Sequence, residues 1–389
     1  MKRSFTFALL LVVCLACLGP MAAQDAPTPE PVGLRPDAPE YALHGPYWVG
    51  TRVFEVQDVH KSPFTVRAWY PALNPDGLDE SYIYPRSISD VHGHALDGAA
   101  PDSSQGPYPL VILGHGFTGI GELYAYIGEH LASHGFVVFA PHHTHDAMHY
   151  VYGSVIIRLN EILDAIAYAD TLRASDTEFG GLIDTDQIGV MGHSFGGLTS
   201  FGAGGAPINW NSIQAYCSEI TDDPACYYNL DKERMLEEAG LEFEPGGLWP
   251  AIADSRVRAI VPISGSAEPY GSDGLAQLTI PVLVIYGSED WLELSSDRAV
   301  VGWMHPAYDW IGSDQKIHAV FEGAGHRIFL ETPWSDYDPA WDRDQAHDLT
   351  NHLVTAFLLS TLKGDAEATA ALAPDAVNFP GIDYQAEGF

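Results

Sequence analysis

The sequence has few basic residues: 18 lysines and arginines stand against 52 aspartates and glutamates, so the 389-residue chain has a formal net charge of -34 at pH 7. A field of this sign repels phosphate, which argues against binding to DNA, RNA or an anionic bilayer. The acidic residues are scattered, and none of their runs is long enough to be an interaction tail. We therefore interpret the charge as a solubilising surface rather than as a site for a particular cationic partner.

Cysteine is also scarce, with four residues in the whole chain. Cys14 and Cys17 lie in an N-terminal apolar stretch, which leaves Cys217 and Cys226 for the folded part. A single pair lacks the second pair of ligands that a structural zinc site requires, so this pair predicts a disulfide in an oxidising compartment. Closing so short a loop contributes about 2 to 3 kcal/mol by chain entropy.

Long apolar runs are missing except at the start, where two basic residues precede an apolar stretch over residues 5–18 and then small residues. This stretch is too short for a membrane span and has the order of a secretory signal, so we assign residues 1–23 to a signal peptide. The letters CLAC, ending at Cys17, also resemble a bacterial lipobox, and lipidation of that cysteine is the alternative. Either route predicts a secreted, periplasmic or envelope-anchored protein, and the proline-rich residues 24–46 predict a linker.

Internal repeats are absent, and beyond residue 109 short apolar runs alternate with helical patterns. The runs are LVILG (110–114), FVVFA (136–140), IGVMG (188–192), VRAIVPIS (257–264), PVLVIYG (281–287) and KIHAVFEG (316–323). The helix candidates are Leu123–His134, Ser154–Leu172, Phe195–Gly204, Ser295–Ile311 and Asp342–Leu362. Such runs are typical of strands buried on both faces, and the alternation predicts an α/β fold with a mostly parallel sheet and helices on both faces.

The regions around this core have other patterns. VGTRVFEVQDV and FTVRAWYPAL predict an antiparallel strand pair, and the Gly-, Pro-, Asp- and Ser-rich residues 74–109 predict a surface excursion. Residues 205–255 are far too many for an ordinary connection and contain both remaining cysteines, so we interpret them as a disulfide-pinned cap over the carboxyl edge of the sheet. The main domain accordingly spans 47–363, and 364–389 are assigned to a C-terminal tail.

The stretch GHSFG places Ser194 between Gly192 and Gly196, after a predicted strand and before a predicted helix. This G-x-S-x-G pattern, with His193 as its second residue, is typical of a nucleophile elbow. Neighbouring side chains would collide in so sharp a turn, and the two glycines avoid that collision. We expect the Ser194 hydroxyl to lie exposed at a helix N-terminus, where developing negative charge is favoured.

A serine hydroxyl is a weak nucleophile until a positioned base removes its proton, so the elbow predicts a histidine and an acid further along the chain. The histidine candidate is His326 in FEGAGHRIF, directly after the last predicted strand. The acid candidate is Asp290 in VLVIYGSED, three residues beyond the glycine that ends its strand. Glu289 and Glu268 are the alternatives for the acid.

The reaction also requires donors for an oxyanion. LGHGFTGIGE follows the first strand of the alternation, where folds with a nucleophile elbow supply one backbone donor. We assign this donor to the N–H of Phe117 and the second donor to the N–H of Phe195, the residue after the candidate nucleophile.

These motifs resemble the α/β-hydrolases, and among them the secreted esterases of the dienelactone-hydrolase and platelet-activating-factor acetylhydrolase type. VRAWYPA, GHGFTG, EHLASHGFVVFAPHH, IGVMGHSFGG, VLVIYGSED and GAGH match in order within residues 47–363. GHGFTG, LASHGFVV and GHSFGG are also similar to cutinase-type polyester hydrolases, in which the aromatic residue after the glycine, here Phe117, helps to form the substrate cleft. The chain departs from these families in two ways. The acetylhydrolases keep their acid after the strand that here ends VPISG, where this chain has no aspartate. Cutinase-type enzymes lack a cap as long as 205–255.

The resemblance implies an α/β-hydrolase fold with a cap insertion, and a serine ester hydrolase that forms an acyl-enzyme on a small-molecule, lipid or polyester ester. A phospholipid acetylhydrolase and a polyester hydrolase are the alternatives among esterases; a serine peptidase and an inactive binding protein are those outside this class. The chemistry requires no cofactor. The stretch HHTHDAMHY could bind a metal, but the mechanism needs none and we predict no metal site; the candidate ligands are His142, His143, His145, Asp146 and His149.

Overall fold

Strands form here where β-branched and aromatic residues run between turn residues, and helices form where apolar residues recur at three- and four-residue spacing.

The structure is a computed structural model that describes residues 28–57, 63–85, 90–143, 151–219, 226, 232–242, 246–290, 307–331, 338 and 340–389. The described strands are β1 (Trp48–Val56), β2 (Phe64–Ala72), β3 (Tyr82–Tyr84), β4 (Val91–Gly93), β5 (Leu96–Asp97), β6 (Tyr108–Gly114), β7 (Val137–Pro141), β8 (Ile183–His193), β9 (Val257–Ile263), β10 (Val282–Gly287), β11 (Lys316–Phe321) and β12 (Ile382–Glu387). The described helices are α1 (Ala125–Ser133), α2 (Val151–Ser175), α3 (Phe195–Ala203), α4 (Trp210–Glu219), α5 (Lys232–Glu238), α6 (Gly271–Leu275), α7 (Ala307–Trp310), α8 (Arg343–Lys363) and α9 (Ala366–Ala371), with short 3-10 helices at Glu40–Ala42, Gly121–Tyr124 and His326–Phe329.

Ten strands form one sheet in the order β12-β11-β10-β9-β8-β6-β7-β2-β1-β5, and β3 pairs with β4 separately. The six strands from β11 to β7 run parallel to their neighbours within this set. Strand β2 is antiparallel to β7, β1 to β2, and β12 to β11. The predicted mostly parallel sheet and the predicted antiparallel pair β1–β2 are therefore confirmed.

Helices cover both faces of this sheet. In β6, Leu110 and Ile112 pack in the core shared with α2 and α3, whereas Val111 and Leu113 pack in the core shared with α1 and α8. Successive strand side chains point to opposite faces, so each central strand is apolar on both sides. A fully buried side chain of this size contributes roughly 1.5 to 3 kcal/mol, which makes the sheet a firm base for the loops at its edge.

Because the central strands are parallel, their carboxyl ends meet at one edge of the sheet. The loop after β6 contains Phe117, β8 ends one residue before Ser194, and the loops after β10 and β11 contain Asp290 and His326. The topology thus brings together segments that are far apart in the sequence.

The segment 74–109 differs from the predicted surface excursion. Its Leu96, in β5, pairs with Gly50 of β1 at the edge of the main sheet. Its Tyr84 is fully buried, and the Tyr84 hydroxyl accepts a hydrogen bond from Nε1 of Trp69 at 2.7 Å. Polar turn residues dominate the composition, but these few contacts attach the segment to the core.

The two ends of the described chain also pack on the body. From residue 28 onward the predicted linker runs along α8, where the amides of Leu34 and Arg35 each donate to the Asp348 carboxylate at 2.9 Å. The predicted C-terminal tail, 364–389, contains α9 and β12, and β12 lies at the edge of the sheet. Within the described ranges no helix is both long and apolar enough to cross a membrane.

Candidate active site

Ser194 lies at the turn between β8 and α3, and its side chain is partly exposed. Its backbone has φ 59° and ψ -118°, a strained combination for an L-residue. A Cβ on Gly196 would lie 2.1 Å from the Gly114 oxygen, and a Cβ on Gly192 would lie 2.6 Å from the carbonyl carbon of Gly196. Glycine is therefore required at both positions, and the turn holds a strained serine at the carboxyl edge of the sheet.

Asp290 and His326, on the loops after β10 and β11, form a hydrogen bond in which Nδ1 of His326 donates to Oδ1 of Asp290 at 2.6 Å. The Asp290 side chain is 1% exposed and the His326 side chain 14%. Burial alone would raise the pKa of the Asp290 carboxyl, but the charge and hydrogen bond of His326 outweigh burial and hold that pKa below its ordinary value. The ionised carboxylate keeps the proton of neutral imidazole on Nδ1, which leaves Nε2 able to act as a base.

His193 joins the His326 loop to the elbow. Nε2 of His193 donates to the backbone oxygen of His326 at 2.9 Å, and the two imidazole rings lie 4.6 Å apart between centroids. Because His193 immediately precedes Ser194, this contact places the His326 loop beside the strained turn.

The loop after β6, which contains Phe117, also contacts the turn at Ser194. A Cβ on Gly116 would lie 3.4 Å from the Cβ of Ser194, and the rings of Phe117 and Phe195 meet edge to face with centroids 5.5 Å apart. Among the described residues, neither the Phe117 amide nor the Phe195 amide has an acceptor within the protein. Two such amides beside a serine can stabilise negative charge on a reacting atom.

A buried chain of hydrogen bonds connects these loops. The Tyr124 hydroxyl accepts from the Gly116 amide at 3.0 Å and donates to Nδ1 of His193 at 3.0 Å. Burial, with a smaller contribution from the charge of His326, lowers the pKa of His193 to about 3. The His193 ring is therefore neutral with its proton on Nε2, and it links the Gly116 loop to the His326 loop.

The chain is similar to known ester hydrolases in sequence and in fold. Residues 91–225 match the chlorophyllase family. A bis(hydroxyethyl) terephthalate hydrolase from Streptomyces coelicolor is 29% identical over 274 residues, which cover 69% of this chain and 68% of that protein. The solved structure of a ferulic acid esterase from Streptomyces cinnamoneus has a TM-score of 0.58 at 20% identity, covering 87% of this chain and 96% of that one. The chain has the α/β-hydrolase fold.

The similarities indicate an α/β-hydrolase that hydrolyses ester bonds, which confirms the predicted fold class and the predicted class of enzyme. Within it, the hydrogen bond to His326 distinguishes Asp290 from the two alternative acids. The side chain of Glu289 is exposed, and Glu268 lies buried on the loop after β9.

The structure describes part of the histidine-rich stretch HHTHDAMHY. Nδ1 of His143 lies 2.5 Å from Oε2 of Glu161, and both side chains are 1% exposed. His145, Asp146 and His149 lie outside the described residues. In the part of the chain that the structure describes, no group of three or more histidine, cysteine or acidic residues is placed to hold a metal ion.

Arg158 and His115 form a buried polar cluster at the Phe117 loop, and neither is among the predicted site residues. Arg158, in α2, donates from Nη1 to the His115 oxygen at 2.5 Å and from Nη2 to the Gly116 oxygen at 3.1 Å. The sequence signal for it is a charged residue on the apolar stripe of α2, at helical spacing with the core residues Ile162 and Ala165. That signal indicates a buried charge in the helix, but it does not indicate which carbonyls the guanidinium contacts.

The predicted cap, residues 205–255, contains α4, α5 and the Cys217–Cys226 disulfide, whose Cα atoms are 5.3 Å apart. It packs on α2, where Nδ2 of Asn160 donates to the Glu238 oxygen at 3.2 Å. The predicted disulfide is therefore present, and the described part of the cap is attached to the helix that carries Arg158.

Proposed function

We propose that this protein is a secreted serine carboxylesterase that acts through Ser194, His326 and Asp290. The observation that carries the proposal is the hydrogen bond between Asp290 and His326 at 2.6 Å, on a loop that is tied to the residue before Ser194. A strained serine on a turn that contacts the loop of an imidazole paired with a buried carboxylate is an arrangement suited to activating a hydroxyl for attack.

In the proposed reaction, Nε2 of His326 takes the proton of Ser194 as the serine oxygen bonds to the ester carbonyl carbon. The carbonyl oxygen becomes an oxyanion, for which the Phe117 and Phe195 amides are the proposed donors. His326 then gives the proton to the leaving alkoxide as the carbon–oxygen bond breaks, which leaves an acyl group on Ser194. Water, deprotonated by His326, releases the acid by the same steps, and Asp290 stabilises the imidazolium each time.

Esters of aromatic acids are the substrate class that we propose. Two of the similar proteins are named for such esters, a terephthalate hydrolase and a ferulic acid esterase. The half-buried ring of Phe117, packed edge to face on the buried ring of Phe195, provides an aromatic contact suited to such an acyl group. Polyester hydrolysis is the second candidate, since a terephthalate diester is also the repeating unit of a polymer, and the cap is the feature that would restrict a bulky chain.

Export is part of the proposal. The N-terminal pattern of residues 1–23 supports a secretory signal, and the Cys217–Cys226 disulfide suits an oxidising compartment. Lipidation of Cys17 is the alternative. The mass of the mature N-terminal peptide distinguishes cleavage after Ala23 from a lipidated cysteine.

Labelling with a fluorophosphonate probe tests the proposal, with Ser194→Ala as the matched variant. We expect the wild type to be labelled on Ser194 and to hydrolyse p-nitrophenyl acetate and bis(hydroxyethyl) terephthalate. The variant should lose about a million-fold in kcat at an unchanged Tm. Cleavage of peptide anilides without ester turnover would instead indicate a peptidase, and a folded wild type that is neither labelled nor active would indicate a binding protein.

A further inference from the structure

The carbonyl of Gly116 is held by two buried donors. Nη2 of Arg158 donates to it at 3.1 Å, and Nδ1 of His115 donates to it at 2.7 Å. The peptide between Gly116 and Phe117 is trans, and in a trans peptide the C=O and N–H bonds point in opposite directions. Fixing the Gly116 carbonyl toward Arg158 therefore fixes the Phe117 N–H in the direction away from Arg158.

The adjoining groups are fixed in the same way. Nη1 of Arg158 donates to the His115 oxygen, and the Gly116 amide donates to the Tyr124 hydroxyl. Nε2 of His115 accepts from the His143 amide at 3.0 Å, which sets the neutral tautomer with the proton on Nδ1. A flip of the Gly116–Phe117 peptide would remove an acceptor from two buried donors and turn the Phe117 N–H toward a guanidinium. Leaving buried donors without partners is costly, so the observed orientation is strongly favoured.

Arg158 also contacts the side chain of Phe195, the residue that carries the second proposed donor. Its side chain is 1% exposed, and its guanidinium carbon lies 4.5 Å from the centroid of the Phe195 ring. An arginine stays charged in proteins, and a buried charge acts more strongly than an exposed one because little water screens it. Positive charge at this point favours an oxyanion held between the Phe117 and Phe195 amides.

We infer that Arg158 is a positioning residue that aims the Phe117 amide at the oxyanion and adds a fixed positive charge near the two residues that carry the donors. This inference rests on the proposed function, because it requires an oxyanion on a substrate bound to Ser194. His115 assists Arg158 as the second donor to the same carbonyl.

The variants Arg158→Lys and Arg158→Met test the inference. Lysine keeps the charge but cannot donate in a planar fork to two carbonyls, whereas methionine removes both the charge and the donors. Arg173→Met is the matched control: Arg173 lies on the same helix, its side chain is 40% exposed, and it pairs with Asp186. The measurements are Tm, kcat and KM for p-nitrophenyl acetate, and inhibition by phenylboronic acid, which forms a tetrahedral adduct with an active-site serine.

For Arg158→Lys we expect kcat to fall by about 10- to 100-fold with KM within about twofold of wild type, because oxyanion stabilisation acts on the transition state. The affinity for phenylboronic acid should fall by about the same factor as kcat. Arg158→Met should lose more, and Arg173→Met should match the wild type. A purely structural role would lower Tm without this joint loss of kcat and boronate affinity.

A folded Arg158→Lys enzyme with wild-type kcat, or with a raised KM and unchanged kcat, overturns the inference while the proposed function stands. A wild type that is neither labelled by fluorophosphonate nor active overturns both. If Arg158→Met does not fold, Arg158→Lys decides the outcome because it retains the buried charge.

Discussion

Two buried polar regions of this protein shift the pKa values of their carboxyl groups in opposite directions. Near the strained turn each buried carboxylate has an imidazole as its hydrogen-bond partner: Asp290 contacts His326, and Glu161 contacts His143. Between the N-terminal arm, residues 28–46, and the body lies a cavity of about 770 Å³ that is lined by Glu129 and Glu331 among other acidic and histidine side chains.

In that cavity, burial raises the pKa of Glu129 to about 7. Burial and then the charge of Glu129 raise the pKa of Glu331 to about 8. The comparison shows what an imidazole partner does: His326 holds the pKa of Asp290 below its ordinary value despite burial, whereas the two glutamates bind protons near neutral pH. We therefore expect the first region to control activity and the second to make stability depend on pH.

The candidate site has buried charges of opposite sign on its two sides. A buried cation, Arg158, lies on the side of the Phe117 amide, and a buried anion, Asp290, lies on the side of His326. Attack by Ser194 would create negative charge on the first side and positive charge on the second. The fixed charges are arranged to stabilise this separation before the substrate arrives.

Asp290→Asn should have the largest effect. The amide cannot stabilise the imidazolium and favours the wrong tautomer of His326, so kcat should fall by about ten-thousandfold while Tm stays near that of the wild type. Glu289→Gln, which removes the exposed carboxylate next to it, is the control and should retain wild-type kcat. Turnover unaffected by Asp290→Asn would mean that another group orients His326.

Tyr124→Phe should have an intermediate effect. It removes the acceptor of the Gly116 amide and the donor to His193, so we expect kcat to fall by about tenfold and stability by about 1 kcal/mol. Tyr70→Phe is the control, because its hydroxyl donates to the Ala99 oxygen at 2.8 Å in another part of the sheet. Equal losses of stability with unchanged kcat in both variants would restrict the Tyr124 contacts to a structural role.

Glu331→Gln should have the smallest effect, and it concerns stability alone. The carboxyl of Glu331 ionises at about pH 8 in the fold and near its ordinary value of 4.5 in the unfolded chain, so it destabilises the fold increasingly as pH rises between these values. Glutamine removes this penalty: Tm should equal that of the wild type near pH 4.5 and exceed it by roughly 2 to 4 °C at about pH 9, with unchanged kcat.

Thermal unfolding across this pH range checks the prediction for Glu331. The exposed Glu322, on the loop after β11, provides the control variant Glu322→Gln, for which no such dependence is expected. A change in Tm that is the same at every pH would contradict the charge explanation.

The parallel core could be predicted because its strands are apolar on both faces and lie between turn residues. The run at 281–287 corresponds to β10, Val282–Gly287, and the run at 110–114 to the greater part of β6. Strand β12 was not predicted, because IDYQAE alternates half-buried and exposed residues at the sheet edge and contains too few apolar residues to form a recognisable run. The helix candidate Ser295–Ile311 lies mostly outside the described residues, and α7 occupies its described end.

In the candidate site, local geometry was predictable and long-range contacts were not. The strained turn at Ser194 follows from three adjacent constraints, a strand, two glycines and a helix, and Asp290 follows from its place after a strand. The contacts of Arg158 join residues 43 positions apart. No local pattern encodes which carbonyl a buried guanidinium reaches, because packing of α2 on the sheet decides it.

Strand β12 forms the rim of the sheet with alternating exposed residues and pairs with β11, which is more deeply buried. Six of its residues pair with β11, which would otherwise present free backbone donors and acceptors at the rim of the sheet. Exposed rims of this kind recruit strands from other molecules and begin aggregates. Deleting residues 382–389 would thus expose the unpaired backbone edge of β11 to strands of other molecules, whereas an affinity tag added after Phe389 would leave that edge paired with β12.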